Sequence, residues 1–142
     1  MHGVRLTPLK KIATDNGEVL HALRNTDQDY RTFGEAYLST IRQGSIRAWK
    51  KHRELTLNIV VPLGEIRFVL YDDRDDSLSY GQFEDLTLSR SRNYQRLTVF
   101  PGIWMGFQGL GIGDNMLLNV IDGEHDPSEI DRARIESIAF EW

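Results

Sequence analysis

The stretch Gly44 to Arg74, GSIRAWKKHRELTLNIVVPLGEIRFVLYDDR, limits the fold more than any other part of the chain. It opens on a glycine and crosses a group of bases and one histidine: Arg47, Lys50, Lys51, His52 and Arg53. It then becomes an apolar run broken only at Pro62-Leu63-Gly64, with Leu55, Thr56, Leu57, Ile59, Val60 and Val61 before the break and Ile66, Phe68, Val69, Leu70 and Tyr71 after it. β-branched and aromatic residues on both sides of a Pro/Gly break predict two strands joined as a hairpin.

Short strands recur along the chain. The expected segments are Val4 to Ile12, ended by Asp15-Asn16-Gly17; an irregular strand over Glu18 to Arg24; Phe33 to Ile41; Phe83 to Ser89; Gln95 to Phe100; Ile103 to Leu110; and Asn115 to Ile121. Glycines at 111 and 113 predict a tight turn between the last two. Asn25 to Arg31 and the acidic run Asp72 to Ser79 read as solvated loops. In DPSEIDRARI, Asp126 as cap and Pro127 at the first helical position predict a short helix, and Glu136 to Trp142 a last strand. No long amphipathic helix is predicted, so the class is all-β, a sandwich or small barrel. A chain of 142 residues forms one domain, residues 1–142.

Composition narrows the function classes. With no cysteine, thiolate metal sites and cysteine nucleophiles are excluded. No apolar run reaches the roughly 18 residues that span a bilayer, and the opening residues lack a secretory pattern, so a cytoplasmic protein without membrane partners is expected. Net charge is −4, yet bases gather between Lys10 and Arg53 and again from Arg90 to Arg96. An acidic chain with local basic patches suits a small anionic ligand better than nucleic acid.

Alternation places Lys50 and His52 on one face of a strand and Lys51 and Arg53 on the other. A side chain that acts as a general base must be partly neutral near pH 7. Histidine meets this unaided, and lysine meets it when burial or neighbouring cations lower its pKa. The pair therefore reads as base and orienter, in either order, or as a phosphate contact beside a hydrogen-bonded wall residue. Phe33, Glu35, Tyr37 and Ser39 share a face of their strand, either an outward face or a pocket wall with a ring and a carboxylate. Trp49, Trp104 and Phe107 are candidate stacking surfaces, with core filling as the alternative. Arg47 carries the fork that matches phosphate. His2, His21 and His125 stand apart without ligand spacing, so neither metal nor cofactor is expected.

The order Gly44, Lys50, His52, Leu57, Gly64 has the spacing of the first cupin motif, in which those places usually hold Gly, His, His, Glu and Gly. With Phe33-x-Glu35, Arg47-Ala48-Trp49, Asp72-Asp73-Arg74, Tyr80-Gly81, Pro101 to Phe107 and Asp126-Pro127, the chain resembles the dTDP-4-dehydrorhamnose 3,5-epimerase group of cupins from about residue 33 to 127. The resemblance implies a double-stranded β-helix, or jelly-roll barrel, holding a nucleotide sugar inside, and a homodimer. It implies Arg47 on the diphosphate, with Phe33 and Glu35 facing the nucleotide. It puts the family's base histidine at Lys50, a second histidine at Met105, the proton-returning tyrosine at Asn119 and a motif lysine at Leu57.

The expected function is 3,5-epimerisation of a dTDP-4-keto-6-deoxyhexose in deoxysugar or polysaccharide biosynthesis, with His52 or Lys50 as base and Tyr37 as a candidate acid. The site residues are His52, Lys50, Arg47, Phe33, Glu35, Trp49 and Trp104. The alternatives are a binding cupin without catalysis and a 3,4-ketoisomerase of the same substrate class.

Overall fold

The computed structural model describes residues 1–142. Twelve strands follow in order: β1 (Val4–Pro8), β2 (Lys11–Thr14), β3 (Gly17–Leu20), β4 (Glu35–Arg42), β5 (Ile46–His52), β6 (Leu57–Leu63), β7 (Glu65–Asp72), β8 (Phe83–Ser89), β9 (Gln95–Val99), β10 (Ile103–Gly109), β11 (Asp114–Ile121) and β12 (Ile130–Arg132). Two five-stranded sheets result, ordered β1-β9-β6-β11-β4 and β12-β5-β10-β7-β8, with β2 and β3 as a separate hairpin. All pairs within the sheets are antiparallel. Inward-pointing Ile41, Leu57, Ile59, Ile66, Phe68 and Leu97 belong to one core cluster, the apolar filling of a jelly-roll. The expected all-β cupin architecture is what forms. No helix is long and apolar enough to cross a membrane.

The central run is not a hairpin. β6 lies in one sheet and β7 in the other, so Pro62-Leu63-Gly64 is a corner at which the chain changes sheets. The Gly109 to Asp114 link between β10 and β11 makes the same change. Both corners close around the fully buried Asn115. Its Oδ1 accepts from the Glu65 amide at 2.8 Å, and its Nδ2 donates to the carbonyls of Gly111 at 3.0 Å and Ile41 at 3.1 Å. A Cβ on Gly64 or Gly111 would stand 2.3 Å from Asn115 Oδ1, so the close approach requires glycine at both places.

Other expectations are corrected at this level. The first strand stops at Pro8, which has no amide to continue a ladder, and Lys11–Thr14 turns away to pair with Gly17–Leu20. The segment from His21 to Arg24 is not strand. Asp126 does cap, accepting from the Ser128 amide at 2.8 Å, but the helix is a single 3-10 turn, Pro127–Glu129. Ile130–Arg132 then pairs with β5 and covers what would otherwise be a bare edge. The tail is irregular after a second 3-10 turn at Ile135–Ser137. Phe140 and Trp142 pack on Trp49 instead of joining a sheet.

Both charged runs are also more ordered than composition suggests. Asp72 is fully buried, held by Arg74 Nε and Nη2 at 2.8 Å each and by the hydroxyls of Ser77 and Ser79. Arg90 pairs with Glu18, Arg92 with Glu65, and buried Arg96 with Asp27 and Asp29, so the second basic patch is neutralised within the fold.

The Arg74 guanidinium, ahead of the two hydroxyls, holds the Asp72 carboxyl well below the ordinary carboxylate range. A depressed folded value stabilises the fold above the unfolded value, about 3.9, and that contribution is lost as pH falls through the folded value. Asp72→Asn is expected to lower unfolding free energy by about 3 kcal/mol at neutral pH. The gap to the parent protein should shrink on acidification in urea titrations. A gap unchanged down to about pH 2 would rule out the ion pair as its source.

Candidate active site

Between the sheets lies a cavity of about 440 Å³, open to solvent. One wall comes from β5, β10 and β12, the other from β4, β6 and β11. Arg47, Lys50 and His52 all line it. Strict alternation would send Arg47 to the opposite face from Lys50. However, β5 carries one extra residue against β10: Met105 stands opposite Lys50, while Phe107, two residues on, stands opposite Arg47, three residues back. This bulge reverses the parity of the strand and turns Arg47 toward the same cavity.

Arg47 Nη1 donates to Ser39 Oγ at 2.8 Å, and its guanidinium stands over the Phe107 ring. Lys50 sits opposite Arg132 of β12. The residue as a whole is exposed, yet partial burial, followed by Arg132 and Arg47, pushes its ammonium below the ordinary lysine value. No carboxylate lies within ion-pair distance of Arg47, Lys50 or Arg132, whereas Lys51 is paired with Asp73 and Arg53 with Asp131. Three uncompensated cations therefore face one space.

His52 Nδ1 is hydrogen-bonded to Glu129 Oε1, and the other Glu129 oxygen accepts from the Arg53 amide at 3.0 Å. The carboxylate thus fixes the imidazole from behind and leaves Nε2 without a protein partner. On the opposite wall, Tyr37 and Asn119 are cross-strand partners, and Asn119 Nδ2 donates to the Tyr37 hydroxyl at 2.9 Å. Burial pushes the Tyr37 phenol up; the Asn119 bond opposes this, and Glu35 and Glu129 add to it. A phenol from the neighbouring strand thus reaches Asn119, the place to which the resemblance assigned a tyrosine. The Asn119 Oδ1 is buried and has no partner.

The remaining expected site residues are dispersed. Trp49 borders the cavity, but its indole is only 1% exposed, buried under Phe140 and Trp142 with Nε1 donating to the Ile135 carbonyl at 3.1 Å. Trp104 is on the far side of its sheet, donating to Asp73 at 2.7 Å beneath the Lys51 ammonium. Neither ring offers the cavity a face for stacking. Phe33 precedes β4 and is 61% exposed, away from the cavity lining. Glu35 accepts from the His125 amide at 2.9 Å and so anchors a loop whose His125 lines the cavity. No third ligand-type side chain joins His52 and Glu129 into a cluster able to hold a metal ion.

Glu129 and Arg132 are not among the residues the sequence predicts for the site, because DPSEIDRARI predicts a helix where the chain forms a 3-10 turn and β12. The available signal was the need of an edge strand for cover.

No family model matches the chain. A dTDP sugar isomerase of known structure from Desulfovibrio desulfuricans G20 is 36% identical, with a TM-score of 0.95 over 99% of this chain and 91% of that one. The probable low-salt glycan biosynthesis epimerase Agl13 of Haloferax volcanii is 28% identical over 137 residues, 95% of this chain and 87% of that protein. The spore coat polysaccharide biosynthesis protein SpsL of Bacillus subtilis is 28% identical over 144 residues, 99% of this chain and 95% of that protein. With its two facing antiparallel sheets and the cavity they enclose, the chain belongs to the dTDP-4-dehydrorhamnose 3,5-epimerase-like cupins, the family of dTDP-sugar epimerases and isomerases.

Proposed function

We propose that the protein binds a dTDP-linked 4-keto-6-deoxyhexose and epimerises it at C3, C5 or both, in the making of a deoxysugar or polysaccharide. The observation that carries this reading is the convergence of Arg47, Lys50 and Arg132, all without carboxylates, on the cavity that also holds His52 and Tyr37. A diphosphate supplies the missing negative charge, and the guanidinium forks match its oxygens. The Asn119 Oδ1 is a ready acceptor for a sugar hydroxyl.

Epimerisation requires a proton to leave one face of the sugar and return to the other. His52 and Tyr37 stand on opposite walls. In this mechanism His52 Nε2 removes the proton beside the ketone, with the imidazolium stabilised by Glu129. Lys50 stabilises the charge that develops on the ketone oxygen, and the Tyr37 phenol returns a proton from the other side. A homodimer is part of the proposal: β4 ends its sheet with Leu38 exposed, an edge suited to a second copy and checked by solution mass measurement.

Incubation with dTDP-4-keto-6-deoxyglucose in deuterated water tests the reaction. Deuterium at C3 or C5 is expected. A ketone moved to C3 would make the protein a 3,4-ketoisomerase. Ligand binding without exchange would make it a binding cupin, a reading favoured by Lys50 and Met105 standing where the family resemblance places histidines. Arg47→Ala should weaken dTDP binding by about 10- to 100-fold, measured by calorimetry. An unchanged affinity would remove Arg47 from the diphosphate site.

A further inference from the structure

We propose that Lys50 is a carbonyl-capturing amine: its Nζ condenses with the ketone of the bound sugar, and proton transfer then runs through a protonated imine. The inference rests on the keto-sugar reading and changes how the ketone is activated.

The chain has four lysines. Lys10 and Lys11 are exposed at the β2–β3 hairpin, with Lys11 donating to the Arg90 carbonyl. Lys51 faces the other side of its sheet and is paired with Asp73. Lys50 alone lines the cavity, with neither a carboxylate nor a hydrogen-bond acceptor on its Nζ. A guanidinium does not condense with a ketone, so of the three converging cations only Lys50 carries an amine that can. Two guanidinium forks suffice to clamp a diphosphate. The lysine that lines the same cavity is then free to act as a nucleophile, because partial burial and neighbouring positive charge favour the neutral amine.

The step balances without a co-reactant. Lys50 Nζ adds to the carbonyl carbon. The oxygen takes one proton from the amine and one from a cavity acid and leaves as water, and C=N⁺ replaces C=O. His52 removes the adjacent proton as the electron pair moves onto nitrogen, giving a neutral enamine where an enolate would otherwise carry full charge. Tyr37 protonates the opposite face. Water then hydrolyses the imine and releases Lys50.

The test is reductive trapping. The whole chain is incubated with dTDP-4-keto-6-deoxyglucose and cyanoborohydride, and its intact mass is measured. The expected result is a gain equal to the sugar nucleotide less one oxygen atom, on the peptide carrying Lys50. The adduct should be lost in Lys50→Arg, which keeps the charge but cannot form the imine. Oxygen-18 from labelled water should enter at C4 faster than without protein, because each imine hydrolysis installs a solvent oxygen. Deuterium exchange at C3 or C5 without an adduct and without faster oxygen exchange would overturn the imine while leaving the epimerase intact. Failure of dTDP and the keto sugar to bind would instead overturn the proposed function. Pyridoxal phosphate, an anionic aldehyde, then decides the reactivity of Lys50 on its own. Borohydride-fixed label concentrated on Lys50 supports the capturing amine, and label spread over Lys10, Lys11 and Lys51 refutes it.

Discussion

Replacing His52 by glutamine should slow deuterium exchange into the bound keto sugar by about 10²- to 10⁴-fold, while dTDP affinity changes little. The size follows from the geometry. Glu129 occupies His52 Nδ1, so Nε2 is the ring nitrogen left for the cavity. Glutamine keeps the approximate volume and a hydrogen-bonding end toward Glu129, but no atom that takes a proton near neutral pH. The diphosphate contacts proposed for Arg47 and Arg132 are untouched, which is why rate and affinity should separate. Glu129→Gln should lower the rate less, because the imidazole remains but its charged form loses the carboxylate that stabilises it. If His52→Gln exchanges deuterium as fast as the parent, His52 is a wall residue and the base lies elsewhere on β5.

The second large effect is expected on stability. Asn115→Ala should destabilise the fold by about 3 to 4 kcal/mol and lower the melting temperature by roughly 10 °C. Asn115 is fully buried, and its amide serves both corners at which the chain crosses between sheets. Truncation leaves the Glu65 amide without the acceptor it has at 2.8 Å and the Ile41 and Gly111 carbonyls without a side-chain donor. Gly64 and Gly111 have no side chains to refill the space. Asn115→Asp should also fail, since it keeps an acceptor but loses the donated bonds and buries a charge. Near-parental denaturation midpoints for both variants would show that the corners hold without this residue.

Much of the fold and part of the site were legible in the amino-acid order. Strand positions followed from short apolar runs between turn residues, and period-two alternation put Lys50 with His52 and Tyr37 with Ser39. Those signals are local: the pleat fixes which side chains share a face whatever lies beside the strand. The resemblance to the epimerase cupins rested on spacing over most of the chain, and the shared architecture bears it out.

What tertiary structure alone decided is which strand meets which, and with what register. Pro62-Leu63-Gly64 looks the same in sequence whether it closes a hairpin or carries the chain to the facing sheet; only the partners of β6 and β7 distinguish the two. Arg47 reaches the cavity through a bulge defined by register against β10, more than fifty residues later in the chain. Glu129, 77 residues from His52, and Arg132 reach the site because β12 covers the edge of β5. The same long-range contacts turned Trp49 and Trp104 away and left Phe33 exposed. A residue's own neighbours in sequence set its face and its chemistry, whereas its burial and its charge partners depend on segments brought together only when the two sheets close.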